Sequence, residues 1–204
     1  GEENEALLAL LTPVAKTWPS EFGLVANDLA IQVHGGYGYT RDFDVEQLYR
    51  DNRLNPIHEG TTGIQAIDLL GRKILLSDGS SLAFLREKIA ATGAQATGEW
   101  EAQATALLAF WDRIAKTIDG LRELNGARAF DDATLCLRAF GHGVVAWLWL
   151  DQAVKVRTDS PLRTGIVHAC RFFFEAEMPQ AHSWLAIVAQ HSTLVRSTPD
   201  EAFS

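Results

Sequence analysis

The sequence predicts an all-α fold, and three observations support that class. Apolar residues recur at helical spacing in most stretches of the chain. No segment shows the apolar–polar alternation of a strand. The clearest helical pattern alternates spacings of four and three residues, as in the seam of an antiparallel bundle, through Leu107, Trp111, Ile114, Ile118 and Leu121.

The chain begins with two predicted helices. The first covers residues 6–16 and is weakly amphipathic, and Pro13 marks an interruption or a new start. Pro19 suits the first turn of the next helix, because its missing N–H is not needed there. That helix continues to Val33 and stops at the glycines that follow.

Two capping boxes predict the next helix starts, one formed by Asp44 and Gln47 and one by Thr62 and Gln65. Pro56 ends the first of these helices. The second is expected to bury one apolar face, made of Ile64, Ile67, Ile74 and Leu75.

A turn cluster at residues 77–81 predicts a domain boundary, giving domains 1–76 and 77–204. A short helix, a loop over 93–98 and the seam helix follow. Gly126 is expected to cap the seam helix. Asp131 or Asp132 then opens a buried helix that runs to about Arg157. The last helix begins near Arg163 and should kink at Pro179.

Bulk composition limits the partners of the chain. Its 204 residues carry a formal net charge of −8, which disfavours nucleic acid as a partner. The longest apolar run, residues 144–150, is far shorter than a membrane span. Cys136 and Cys170 lack a metal-binding spacing, which favours buried free thiols, no metal site and a cytoplasmic location. The chain does not begin with methionine, so we expect a piece of a longer protein.

A glycine-rich corner follows the helix that carries Gln32. Gly35 and Gly36 have no Cβ atom and leave the backbone open to close approach by another surface. The Gln32 amide, one turn earlier, could hydrogen-bond a planar or phosphate-bearing ligand. An ordinary helix C-cap with packed tyrosines explains the same residues, since glycine is common at helix ends.

Glu59 lies in a short loop between Pro56 and a helix opened by Thr61 or Thr62. The dipole at that helix N-terminus stabilises an ionised carboxylate, whereas desolvation by apolar neighbours, Ile57 and Ile64, would favour the protonated form. A glutamate tuned in this way suits general-base catalysis. An electrostatic cap of the helix is the simpler alternative.

Other polar residues are expected to have structural roles. Arg50, Asp51 and Arg53 form a solvated helix face or an ion pair more often than a phosphate site. The histidines lack an HExxH or comparable metal spacing, and we expect structural roles for His142, His168, His182 and His191. The tryptophans recur at helical positions and predict core or interface packing.

Three segments in order carry a family resemblance: Gln32-x-x-Gly35-Gly36-x-Gly38-Tyr39, Val45-Glu46-Gln47-Leu48-x-Arg50-Asp51 and Ile57-x-Glu59-Gly60-Thr61-Thr62-x-Ile64-Gln65. Together they resemble the C-terminal helical bundle of the acyl-CoA dehydrogenases, over roughly residues 5–76. The later apolar helices resemble the additional helical C-terminal domain of larger bacterial members, a group that includes the 3-methylmercaptopropionyl-CoA dehydrogenase-like enzymes.

The resemblance implies an FAD-dependent enzyme of fatty acid metabolism that oxidises an acyl-CoA to a trans-2-enoyl-CoA. Glu59 falls on the catalytic base, which removes the pro-R α-proton while the β-hydrogen leaves as hydride to the flavin. In the family, the backbone N–H of this glutamate and a flavin hydroxyl bind the thioester oxygen, an oxyanion-hole arrangement. Electron-transfer flavoprotein is the implied electron acceptor.

The same resemblance assigns binding residues. The segment that contacts FAD from the neighbouring subunit, and so implies a homodimer, matches Gln32, Val33, His34, Gly35 and Gly36. Thr61 and Gly63 fall on the loop beside FAD. His58 and Gly60 flank the base near the thioester.

The chain also departs from the family pattern. His58 stands where many members carry tyrosine, and Gly63 where many carry a larger polar residue. The family's N-terminal helical domain, its β-domain and the first helices of its C-terminal bundle are absent, so we expect a fragment that is inactive alone. Two alternatives stay open: an acyl-CoA oxidase, and a non-catalytic helical assembly module in which Glu59 is only a cap.

Overall fold

The structure, a computed structural model, describes residues 1–124 and 126–203. These described residues contain helices and no strand, which confirms the all-α prediction. The α-helices are α1 (Glu2–His34), α2 (Val45–Arg53), α3 (Thr62–Ile67), α4 (Ser80–Gln95), α5 (Glu101–Arg122), α6 (Ala133–Lys155), α7 (Arg163–Phe172), α8 (Met178–Val188) and α9 (Leu194–Ser197). Two π-helical segments, Asp68–Leu75 and Phe173–Glu177, continue α3 and α7. Short 3-10 helices occur at Gly35–Tyr39, Gly98–Trp100, Gly126–Phe130 and Asp200–Phe203.

Helix α1 is continuous, so the interruption predicted at Pro13 and the new start predicted at Pro19 are wrong. Proline removes a backbone donor and crowds the preceding turn, which normally breaks a helix. Buried residues compensate in α1: Leu10, Val14, Thr17 and Ser20 recur every three or four residues, and Pro13 is buried beside Val14. Packing of α1 against α4 and α6 therefore outweighs the local preference of the prolines.

Helices α2 and α3 begin near the predicted residues but without the predicted capping boxes. Asp44 is the N-cap of α2, and Thr61 rather than Thr62 is the N-cap of α3. Neither side chain makes a cap hydrogen bond. The buried face of α3 and its π-helical continuation is Ala66, Leu69, Leu70 and Ile74. Ile64 and Ile67 are more than half exposed, because apolar residues occupy both sides of this segment and the periodicity alone did not identify the buried side.

The α5 seam is confirmed, since all five of its predicted residues are buried. Helix α4 runs past Gly93, which the sequence placed in a loop. A Cβ at Gly93 would lie 3.3 Å from the Leu108 side chain, so this glycine allows α4 and α5 to approach closely. Gly126 does not cap α5; Glu123 does, and Gly126 opens the next 3-10 helix with a φ of 59°.

Helix α6 lies at the centre of the fold and contacts α1, α3, α4, α5, α7 and α8. Its N-cap is Asp132, one of the two predicted residues, and it ends at Lys155. By length and composition it is the one helix among the described residues that could cross a membrane, because an 18-residue window within it has a mean hydropathy of 1.3. However, 61% of the window is buried inside the protein. A helix surrounded by other helices is expected to be apolar on most sides, as predicted for a buried helix.

The last long helix consists of α7, a π-helical segment and α8 in direct succession. Pro179 lies in the first turn of α8. The distortion predicted at this proline takes the form of the π-helical segment immediately before it, where the backbone hydrogen bonds change from the regular α pattern.

One hydrophobic core joins both parts of the chain. Buried residues of α1 and α3, such as Leu10 and Leu69, belong to the same cluster as those of α5, α6 and α8. The turn between the two parts contains Gly79 with a φ of 82°. The division into 1–76 and 77–204 stays a prediction, and in the structure the two parts pack against each other.

Candidate functional site

The glycine-rich corner at the end of α1 is open to solvent. Gly35 adopts a φ of 60°, and its N–H donates to the Gln32 carbonyl. A Cβ at Gly35 or Gly36 would meet nothing within 4 Å. At Gly38, by contrast, a Cβ would lie 2.5 Å from the Ile31 carbonyl oxygen, so this glycine is required for packing.

The other residues assigned to FAD contact at this corner are also on the surface. Gln32, Val33 and His34 are exposed, and Val33 is exposed by 85%. The His34 ring nitrogen Nδ1 lies 2.8 Å from the Ala30 carbonyl, which fixes the ring against its own helix. The corner therefore presents bare backbone and polar groups that a ligand or another subunit can reach.

The loop that carries Glu59 adopts an unusual backbone conformation. Glu59 has a φ of 52°, in the left-handed region that non-glycine residues rarely occupy, and Gly60 follows with a φ of 97°. A Cβ at Gly60 would lie 2.4 Å from the Gln65 side chain. Strain of this kind persists only where the surrounding structure holds it, and it concentrates at functional sites.

Polar contacts hold the loop in place against α1. The Lys16 ammonium donates to the Asn55 carbonyl. The Asn52 amide donates to Asn27 at 2.8 Å, and Asn55 donates to Asn52 at 2.7 Å. The His58 Nδ1 lies 3.1 Å from the Leu54 carbonyl. The loop thus has a defined position relative to α1.

The surroundings of Glu59 bear on the two alternatives that the sequence left open. Its side chain is exposed, as is that of His58. Ile57 and Ile64, expected to desolvate the carboxylate, are themselves exposed by 50% and 59%. Within the described residues, these exposures do not favour the desolvated alternative for Glu59, since neither isoleucine belongs to the core that buries Ala66 and Leu69.

A cleft of about 600 Å³ lies beside the Glu59 loop, and residues that precede and follow the loop in sequence line it. Its lining includes Pro56 and Ile57 before the loop and Thr61, Thr62 and Gly63 after it. The rest of the lining comes from other elements: Glu21, Phe22, Leu24, Val25, Arg53, Arg138 and Trp184.

The structure thus brings only part of the predicted site together. Thr61 and Gly63 line the cleft, and His58, Glu59 and Gly60 form the loop between its two lining stretches. The segment 32–36 does not line it. Sequence reasoning missed Arg138 and Trp184, since they lie on α6 and α8 and no local pattern links them to this loop.

A fully buried histidine supports one wall of the cleft. The Trp18 indole N–H donates to His142 Nδ1 at 3.1 Å, so the neutral ring carries its proton on Nε2. The rings of Phe22 and Trp184 meet His142 edge-on, with centroids 4.8 and 4.9 Å away. Burial lowers the pKa of His142, and Glu177, 3.6 Å from Nε2, partly opposes that effect.

The remaining candidates are accounted for without a ligand. Cys136 and Cys170 are free thiols, and burial raises the pKa of each to about 12, which makes them unreactive. Arg50, Asp51 and Arg53 are exposed. Residues 1–124 and 126–203 contain no group of three His, Cys, Asp or Glu side chains placed to hold a metal ion.

Comparison with known proteins decides the family. Residues 83–199, more than half of the chain, match the family model described as "Acetyl-CoA dehydrogenase C-terminal like", and residues 2–75 match "Acyl-CoA dehydrogenase, C-terminal domain". The chain belongs to the acyl-CoA dehydrogenase family. Its two matched regions meet near the boundary predicted at residue 76.

Individual family members resemble part or nearly all of the chain. It is 43% identical over 90 residues to the 3-methylmercaptopropionyl-CoA dehydrogenase of Ruegeria pomeroyi, covering 44% of this chain and 15% of that protein. It is 25% identical to a butyryl-CoA dehydrogenase of Syntrophomonas wolfei, covering 99% and 35%. It is 41% identical over 61 residues to a subunit of the caffeyl-CoA reductase–Etf complex of Acetobacterium woodii, covering 28% and 15%. The chain therefore spans about a third or less of the length of these relatives.

Proposed function

We propose that this chain is the C-terminal part of an FAD-dependent acyl-CoA dehydrogenase, in which Glu59 is the catalytic base. The observation that carries the proposal is the left-handed Glu59, held in a fixed loop beside a cleft, in a chain of this family. The reaction would oxidise an acyl-CoA to a trans-2-enoyl-CoA.

The Glu59 loop offers two groups to an acyl thioester. The carboxylate is exposed and can accept the proton from the α-carbon. The backbone N–H groups of Glu59 and Gly60 donate to no residue within the described parts of the chain. They are therefore free to stabilise negative charge on the thioester oxygen as the proton leaves.

Three glycines support the assignment of FAD. Gly35, Gly36 and Gly63 each have open space where a Cβ would be, so a flat ring or a diphosphate can approach the backbone there. Gln32 and Thr61 would supply hydrogen-bonding groups, and His58 and Gly60 would lie next to the thioester. When bound, FAD would accept the β-hydrogen as a hydride.

The proposal extends to a homodimer, which the family resemblance implies through residues 32–36. The corner at Gly35 lies ten residues beyond Val25, which lines the cleft, so a continuous helix places it about 15 Å away. One protomer would use its cleft for its own flavin and its corner for the partner's flavin. The relative named as part of an Etf complex supports electron-transfer flavoprotein as the electron acceptor.

Substitution of Glu59 in the full-length, flavin-loaded enzyme tests the proposal. We expect Glu59→Gln to keep the flavin absorbance and to lower acyl-CoA-dependent dye reduction by about 10²- to 10⁴-fold, the usual contribution of a general base. Glu123→Gln, an exposed glutamate beyond α5, is the matched control. Normal turnover of Glu59→Gln would show that the base is another residue.

The chain by itself should be inactive, because the described residues leave Glu59 and the corner open to solvent. We expect no flavin absorbance and no acyl-CoA-dependent dye reduction from the purified chain. Robust activity in this assay would contradict the proposal that further segments complete the site.

A non-catalytic assembly role is the second candidate, and one observation favours it. Val25, Leu29 and Val33 lie four residues apart on α1 and are all more than half exposed. Such an apolar stripe is typical of a helix that packs against another helix. If the assembly role is the whole function, Glu59→Gln will have no effect on turnover in the full-length protein.

A further inference from the structure

A chain of three asparagine side chains connects helix α1 to the loop that carries Glu59. The Asn55 side-chain N–H donates to the Asn52 side-chain oxygen at 2.7 Å, and the Asn52 side-chain N–H donates to the Asn27 oxygen at 2.8 Å. Asn27 lies on α1 and Asn52 on α2, and both are half-buried. Because an amide nitrogen donates and an amide oxygen accepts, this order of bonds fixes the orientation of the Asn52 side chain.

Three residues on one face of α1 receive these groups. Lys16, Gly23 and Asn27 are spaced by seven and four residues, which places them on the same side of a helix. A Cβ at Gly23 would lie 3.0 Å from the Asn52 side-chain nitrogen, so a larger residue there would crowd the amide. The Lys16 ammonium donates to the Asn55 backbone carbonyl. Helix α1 therefore holds both the end of α2 and the start of the loop.

Backbone hydrogen bonds continue from the asparagine chain toward Glu59. The Asn55 N–H donates to the Asn52 carbonyl at 2.9 Å, and the Ile57 N–H donates to the Leu54 carbonyl at 2.9 Å. Glu59 follows two residues after Ile57 with its left-handed φ of 52°. A non-glycine residue keeps this conformation only where contacts around it fix the backbone. The bonds from Asn52 to α1 are contacts of that kind, because they fix the segment from which the loop starts.

We infer that Asn52 is a positioning residue: its bond to Asn27 fixes the loop on α1 and so determines the position of the Glu59 carboxylate. The effect on catalysis rests on the proposed function, in which Glu59 is the base, whereas the restraint of the loop does not. A displacement of about 1 Å at a reacting group can slow a reaction by about 10²-fold. Loss of the Asn52–Asn27 bond should therefore slow turnover although Glu59 itself is unchanged.

Carboxylates at positions 27 and 52 test this bond in a double-mutant cycle. Asn27→Asp keeps an oxygen that accepts the Asn52 N–H. Asn52→Asp keeps an oxygen for Asn55, and the Asn27 amide can turn its nitrogen toward the new carboxylate. The two changes together place two negatively charged acceptors against each other, so the bond is lost. We expect a small effect of each single variant and a much larger, non-additive effect of the double variant.

Amide hydrogen exchange of the purified chain, followed by NMR, reports on the loop without flavin or substrate. The N–H groups of Ile57 and His58 donate to the Leu54 carbonyl, so they exchange when the loop opens. In the double variant we expect both to exchange about tenfold faster than in either single variant, as for loss of one hydrogen bond. The amide of Leu150, buried in α6, should be unaffected. Unchanged exchange at Ile57 and His58, or an equal increase at Leu150, would overturn the inference.

Steady-state kinetics of the full-length, flavin-loaded enzyme test the effect on catalysis. The double variant should lower kcat by about 10- to 10²-fold with flavin content and KM nearly unchanged, and the single variants, which control for added charge, should not. A normal kcat in a double variant whose loop amides exchange faster would overturn the positioning role. If instead Glu59→Gln turns over normally, the assignment of the base fails, and faster exchange at Ile57 and His58 still supports the restraint of the loop.

Discussion

At the scale of single residues, His142 makes the stability of the protein depend on pH. Its ring is fully buried among aromatic side chains, and its Nδ1 must stay unprotonated to accept the Trp18 hydrogen bond. Burial lowers the pKa of His142 below the ordinary value of 6.5. The unfolded chain therefore binds the proton more readily than the folded chain. The contribution of neutral His142 to the free energy of unfolding is complete above pH 6.5 and decreases as the pH falls below that value.

We expect the melting temperature of the chain to decrease between pH 7 and pH 5, and His142→Phe to reduce that decrease. Part of it should remain, because burial and Arg113 also lower the pKa of His182. His168→Phe, at an exposed position on α7, is the control and should keep the full decrease. An identical pH dependence for His142→Phe and the original chain would refute this role.

Single residues of the Glu59 loop also differ in how far sequence could predict their conformation and surroundings. The motif around Glu59 identified the loop, and its glycine neighbour Gly60 has the positive φ that a motif glycine suggests. The positive φ of Glu59 itself was not predictable, because backbone strain is imposed by contacts distant in sequence. Sequence also could not decide whether Ile57 and Ile64 surround Glu59, and in the structure both isoleucines are at least half exposed.

At the scale of helices, the contact between α5 and α6 depends on Gly143. A Cβ there would lie 2.9 Å from Phe110 and 3.2 Å from Trp111, both buried. We expect Gly143→Ala to destabilise the chain by about 1–3 kcal/mol, as for overpacking of a core. Denaturant unfolding followed by circular dichroism measures this change.

Gly120→Ala on α5 is the matched control. The nearest atom to its added Cβ would be a His191 ring nitrogen at 3.4 Å, an ordinary contact. Because alanine favours helix over glycine, the change should be neutral or stabilising by up to about 1 kcal/mol. Equal destabilisation by the two substitutions would contradict the packing of α5 on α6 described above.

Helix existence was predictable and helix boundaries were less so. The seam of α5 and the buried α6 followed from periodicity, which reports burial directly. The two prolines of α1 led to a wrong prediction of a helix break, because burial of residues such as Leu10 and Val14 overrides local helix propensity. The caps of α2 and α3 were placed within one residue, but their side-chain hydrogen bonds were absent.

At the scale of the whole molecule, the two matched regions share one core, so we expect the chain to unfold in a single step. Residues of α1 and α3 pack into the same cluster as α5, α6 and α8. A chain limited to residues 1–76 would expose that face and should show no cooperative thermal transition. Two separate transitions in the full chain, or a cooperative one in residues 1–76, would show that the parts are independent.

The cleft illustrates what sequence could not predict at this scale. Family resemblance selected Thr61 and Gly63, which line the cleft, and Glu59, which lies in the loop beside it. Arg138 and Trp184 reach the same cleft only because α6 and α8 pack beside α1. Contacts over such separations depend on the packing of the whole fold.

Exchange of the substrate α-proton with solvent reports whether Glu59 acts as the base. The full-length, flavin-loaded enzyme is incubated with an acyl-CoA in D₂O, and deuterium at the α-carbon is followed by NMR. We expect enzyme-dependent exchange that Glu59→Gln slows by about 10²- to 10⁴-fold while flavin content is unchanged. Exchange at the original rate in Glu59→Gln would show that another group removes the α-proton.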